Sequence, residues 1–114
     1  MLKQLSIEIF ETLTSESAFT SVMQEKVFPI LASENQNTPL TTYRITELKP
    51  LSKESKNASF ELMFWFGINQ YDECVDFTDA MIELLKTKYR FISATVDISE
   101  DTKFYNGIIN LEKY

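Results

Sequence analysis

A chain of 114 residues without a single histidine has little with which to move protons near neutral pH. Histidine is the usual general base and the commonest metal ligand, so only carboxylate, lysine, tyrosine and thiol chemistry remain. Cys74 is the one cysteine. Its spacing places it on the apolar side of a helix, where desolvation raises a thiol pKa and makes it a packing group rather than a nucleophile. Asp97, Glu100 and Asp101 crowd a turn between two strands. Hard divalent cations accept such oxygens, but acidic residues are also what ordinary solvated turns contain. Gly67 and Gly107 are the only glycines, so there is no glycine-rich phosphate loop. Asn57-Ala58-Ser59 matches a glycosylation acceptor, with no secretory signal in front of it. The residues therefore predict no catalytic site, no cofactor site and no metal site, and the expectation is that the chain is not an enzyme.

The wider composition narrows the partners. At 44% apolar and 25% charged residues, the chain is of ordinary globular type and long enough for one domain, 1–114, with its own core. The net charge is −6 and the basic residues are scattered. Phosphate affinity needs clustered Lys and Arg, so no specific nucleic-acid binding is expected, and an acidic surface is repelled by anionic lipid. No apolar run is long enough to span a bilayer, and polar residues Lys3, Gln4, Ser6, Glu8 and Glu11 interrupt any secretory segment. One unpaired cysteine is most simply read as belonging to a reducing cytoplasm.

The elements that would position these groups follow from periodicity. Leu5, Ile9, Phe10 and Leu13 draw one face of a helix, and Phe19, Val22 and Met23 a second, short one. Val27 to Leu31 reads as a strand. Phe28-Pro29 and Thr38-Pro39 bracket a polar run, and each proline pushes the residue before it toward extended geometry. Leu40 to Leu48 is a second strand, stopped by Lys49-Pro50, with an exposed hairpin loop over Ser52 to Asn57. Phe60, Leu62, Phe64, Phe66 and Ile68 alternate strictly, the clearest strand in the chain. A long helix runs from a cap at Asn69 to about Tyr89, with Tyr71, Cys74, Val75, Thr78, Met81, Ile82, Leu85 and Tyr89 on its core face. Asp72, Glu73, Asp76 and Asp79 lie in its first half and Lys86, Lys88 and Arg90 at its end, the order that a helix dipole favours. Ile92, Ala94, Val96 and Ile98 form a strand that returns through Phe104 to Leu111 as a hairpin. The order is α-α-β-β-β-α-β-β. It predicts an α+β fold, a mainly antiparallel sheet with one long helix packed across it and an N-terminal helix pair.

Two places hold more apolar surface than this scheme needs. Phe77, Ala80 and Leu84 make a second stripe on the long helix. That stripe either lies under the loop or the N-terminal helix, or meets another subunit. Met63 and Trp65 sit on the strand face opposite Phe60 to Phe66, and Met and Trp are enriched at interfaces. These five residues are the candidate subunit interface.

The proline-bracketed segment carries a resemblance. Phe28-Pro29, Ala32, Pro39 and Tyr43 fall at the spacing of a loop found in tail-terminator or tail-completion proteins of long-tailed bacteriophages and prophages. Ser33, Glu34 and Asn35 depart from the Pro-Gln-Gly typical there. The opening helix, with Leu13-Thr14-Ser15 leading into a short second helix, also resembles that family, as does the later order of elements. The resemblance implies a structural role: a ring of identical subunits, often hexameric, that caps the tail tube, joins it to the head connector, and passes from the bacterial host cytoplasm into the virion. The acidic balance of the chain would suit a pore through which DNA must slide without sticking. The competing expectation is a small α+β binding module that holds a ligand or peptide between sheet and helix.

Overall fold

Three helices and five strands account for the described chain: α1 (Leu2–Thr14), α2 (Ser17–Met23), β1 (Val27–Pro29), β2 (Leu40–Pro50), β3 (Lys56–Gly67), α3 (Tyr71–Leu85), β4 (Arg90–Ile98) and β5 (Phe104–Lys113). They come from a computed structural model that describes residues 2–29, 37–50 and 56–113. The strands form one sheet in the order β1-β2-β3-β5-β4. Every pairing is antiparallel except β1 with β2, which is parallel and sets Val27 beside Thr41. The expected α+β class and mainly antiparallel sheet are therefore what the chain adopts.

In α1 the buried residues are Leu5, Ile9 and Leu13, a strict i, i+4 ladder. Phe10, expected on that face, is 39% exposed, because it points one residue away from the ladder. Ser and Thr hydroxyls close the helix: Thr14 Oγ1 donates to the Phe10 carbonyl at 2.8 Å and Ser15 Oγ to that of Thr12 at 2.9 Å. Phe19 and Met23 of α2 are fully buried, while Val22 stays exposed.

The alternation of β3 holds. Phe60, Leu62, Phe64 and Phe66 are at most 2% exposed and meet all three helices through one core. The strand ends at Gly67, so Ile68 falls outside it and is exposed. The β2–β3 ladder runs further than expected, through Lys49–Asn57 to Pro50–Lys56. Pro50 takes the last rung, where its missing N–H does least harm, and Lys56 and Asn57 belong to the strand rather than to a loop. Ser52 to Ser55 of that expected loop, and the end of the first strand at Ile30 and Leu31, lie outside the described residues. The return into β2 is held at 2.9 Å by the Thr41 N–H on the Lys26 carbonyl, and at 3.0 Å by Lys26 Nζ on the Asn37 carbonyl.

Three further expectations are corrected. Helix α3 ends at Leu85, so Lys86, Lys88 and Arg90 lie beyond its last turn. There they pair with Glu83, Glu16 and Glu112, exposed contacts worth about 0–1 kcal/mol each. Asn69 does not cap α3. Gln70 takes the capping position, and its side-chain oxygen instead accepts the Gly67 N–H at 3.0 Å. In β4 a bulge between Phe91 and Ser93 shifts the register. It places Phe91, not Ile92, in line with Ala94 and Val96, and leaves Ile92 49% exposed. Strand β4 is the long free edge of the sheet.

One close approach fixes the angle of α3. A Cβ built on Gly107 of β5 would lie 1.9 Å from Thr78 Oγ1. Only glycine allows the helix to sit this near the sheet, with Thr78 seated against β5.

Candidate functional site

The helices all pack on one side of the sheet, and no described helix lies on the other. Its floor can be built row by row from the register. Arg44, Glu61, Asn110 and Ser93 form one row; Phe28, Thr42, Met63, Ile108 and Thr95 the next; Leu40, Trp65, Asn106 and Asp97 the third. Met63 and Trp65 are half-buried and Ile108 and Phe104 likewise. The Trp65 indole is pinned: its Nε1–H donates to Thr42 Oγ1 at 3.0 Å, and its ring meets Phe104 edge-on at 6.1 Å.

At one end of this face lies a cavity of about 490 Å³ lined by Met63, Trp65, Phe104, Asn106 and the turn residues Ser99, Glu100 and Asp101. The turn is rigid. Asp101 accepts from Ser99 Oγ at 2.5 Å and from the Lys103 N–H at 3.1 Å, and Ser99 Oγ in turn accepts the Phe104 N–H at 3.1 Å. The Ser99 hydroxyl first, and the Lys103 amide second, hold the Asp101 carboxyl below its ordinary value. Asn106, between Trp65 and Asp97, is only 7% exposed, and its Oδ1 has no hydrogen-bond partner. Phe104 and Asn106 escaped the sequence reading. The signal that finds them is the alternation Phe104, Asn106, Ile108, Asn110, which only a register with β3 turns into a shared face.

A second hollow, of about 370 Å³, lies on the helix side and is lined by Glu8, Thr12, Lys88, Tyr89 and Lys113. Tyr89 OH donates to Glu8 Oε2 at 2.8 Å, and Lys113 Nζ donates to Glu8 Oε1. At Glu8 partial desolvation pulls upward, but the Lys113 and Tyr89 hydrogen bonds outweigh it and keep the carboxyl below its usual value. Burial, reinforced by the Glu8 charge, pushes the Tyr89 hydroxyl up to about 12. A tyrosine so reluctant to ionise is not a base, and its hydroxyl braces the α3–β4 connection against α1. Burial also pushes the Cys74 thiol up, and the side chain is fully enclosed, which suits packing. Among the described residues no three Cys, Asp or Glu side chains converge on a point where a cation could bind.

The five interface candidates separate. Met63 and Trp65 lie together on the second sheet face. Phe77 is 7% exposed and belongs to the core. Its ring packs on Phe19 at 5.9 Å, Phe64 at 5.0 Å and Phe66 at 5.7 Å. Leu84 is partly buried against the same core, and Ala80 alone of the stripe is exposed. The reason at Phe77 is Phe19 of α2, which packs on its ring from another element, and the helix's own periodicity does not reveal that. Of the loop residues that carry the resemblance, Phe28 and Pro29 form β1, Pro39 leads into β2 behind a cis peptide bond, and the Tyr43 hydroxyl meets Ser6 Oγ at 2.5 Å. Ala32 lies outside the described residues.

Comparison with protein-family models finds no match, and comparison with curated proteins finds no significant one. No helix among the described residues is long and apolar enough to cross a membrane.

Proposed function

We propose that this chain is a structural assembly protein of a phage or prophage tail, a ring-forming subunit that caps the tail tube and joins it to the head connector. The observation that carries the reading is the second sheet face, where Phe28, Met63, Trp65, Phe104 and Ile108 share a surface that no described helix covers. Contiguous apolar surface of this kind marks contact with other chains. A ring also needs two different patches per subunit. The β4 edge supplies a second, with Phe91, Ile92 and Ile98 each more than 40% exposed. The order of elements and the positions of Phe28, Pro29, Pro39 and Tyr43 support the same reading through the resemblance, which bears on family and not on any measured activity.

The rival in which a ligand lies between sheet and helix has less support. That space is filled by Phe60, Phe64, Phe66, Phe77 and Met81, all enclosed, and the larger hollows open elsewhere.

The test is assembly. Sedimentation with and without purified tail tubes, followed by electron microscopy of the tubes, should show rings of this chain at tube ends. Trp65→Asp should remain folded and lose that association. A protein that stays monomeric at high concentration and leaves tube ends bare would overturn the proposal.

A further inference from the structure

We propose that the cavity beside Trp65 receives the guanidinium of an arginine presented by a partner protein. Its described walls are of two kinds, and each suits that group. Trp65 and Phe104 supply aromatic faces, with the indole held in place by Thr42, and a flat cation is attracted to such a ring. Glu100 and Asp101 supply negative charge at the rim. Asp101 is held by Ser99 and the Lys103 amide, so a carboxylate oxygen is presented without further ordering. Asn106 closes the floor and is more than nine-tenths buried.

Arginine satisfies these demands together better than lysine does. Its planar fork can donate two hydrogen bonds to a carboxylate while its face stacks on the indole. A bare metal ion fits poorly, since aromatic and thioether groups make up the opposite wall. Lys103, beside the turn, is exposed, and it is not among the described residues of the cavity wall. The inference stands apart from the tail role: it names what the face recognises, whichever assembly presents it.

Trp65 is the only tryptophan, so its indole N–H gives a single resolved signal in a ¹⁵N-labelled sample. The probe is a short capped Gly-Arg-Gly peptide, with the citrulline peptide, equal in shape and uncharged, as its control. The arginine peptide should shift the indole signal saturably, with half-saturation at or below about 10 mM. The citrulline peptide should bind at least about three-fold more weakly, and Glu100→Gln should weaken the arginine peptide by a similar factor. Glu100 is exposed and outside the hydrogen-bond network that shapes the turn, so this variant keeps the fold. Equal responses to both peptides, no saturable shift, or unchanged binding to Glu100→Gln would each overturn the proposal. The rest of the spectrum reports folding independently, and tube capping is not part of the readout.

Discussion

Both sides of β3 carry large apolar side chains, and only one of them is a core. Phe60, Leu62, Phe64 and Phe66 point toward the helices and vanish from solvent; Met63 and Trp65, one residue out of phase, stay half-open. The second stripe of α3 looked equally like surplus in the sequence, yet its largest member, Phe77, is enclosed, with Phe19 of α2 packed on it. Apolar content alone therefore does not distinguish a core from a contact surface. What decides is whether another element of the same chain arrives to cover it.

That contrast is easiest to break at Phe77. Phe77→Asp places a charge among Phe19, Phe64 and Phe66. It should cost at least about 3–5 kcal/mol, enough to unfold a domain of ordinary stability, as circular dichroism would show. If Phe77→Asp instead leaves a folded monomer, the stripe is a surface after all. Next in size is Gly107→Ala, which drives a methyl into Thr78 Oγ1. Overpacking of this kind costs about 1–3 kcal/mol, and Thr78→Ala in the same chain should return part of it in a double-mutant cycle by urea titration. Trp65→Asp should cost clearly less than Phe77→Asp and leave the melt cooperative, since the indole already borders water. Equal losses at the two positions would erase the distinction between the faces.

The smallest effect sharpens the helix side. The Tyr89 hydroxyl titrates near 10 when unfolded and at about 12 when folded. The unfolded chain sheds that proton first, so the stability it contributes is complete below pH 10 and declines as pH rises toward 12. Tyr89→Phe should remove this part of the alkaline decline. At neutral pH it should cost about 0.5–1.5 kcal/mol for the lost hydrogen bond to Glu8. Urea midpoints of both proteins at pH 8 and above 11 would measure it. A wild-type midpoint that falls no faster than the variant's would dismiss the brace.

How much of this the sequence disclosed depends on the range of the interaction. The alternation in β3 and the Leu5, Ile9, Leu13 ladder are local periodicities, and they were legible. The bulge at Ile92 was not, because a register shift is decided by the partner strand, and the string Ile92, Ala94, Val96, Ile98 alternates perfectly by itself. The expected core face of α3 was mostly right: Cys74, Thr78, Met81, Leu85 and Tyr89 are buried, but Tyr71 is 51% exposed and Phe77 is inside instead. The cavity beside Trp65 was invisible, since it joins β3, β5 and a turn whose proximity only pairing creates. Its acidic turn was noticed, but the aromatic wall opposite was not connected to it.

The sheet has two margins, and among the described residues both carry unpaired backbone. Strand β4 offers nine residues, and on the far side β1 pairs with only three of the eleven residues of β2. Unpaired strand backbone is a template for another chain. The two margins differ in length and sequence, so a contact of one with the other runs head to tail from copy to copy and ends only where the succession of copies closes on itself.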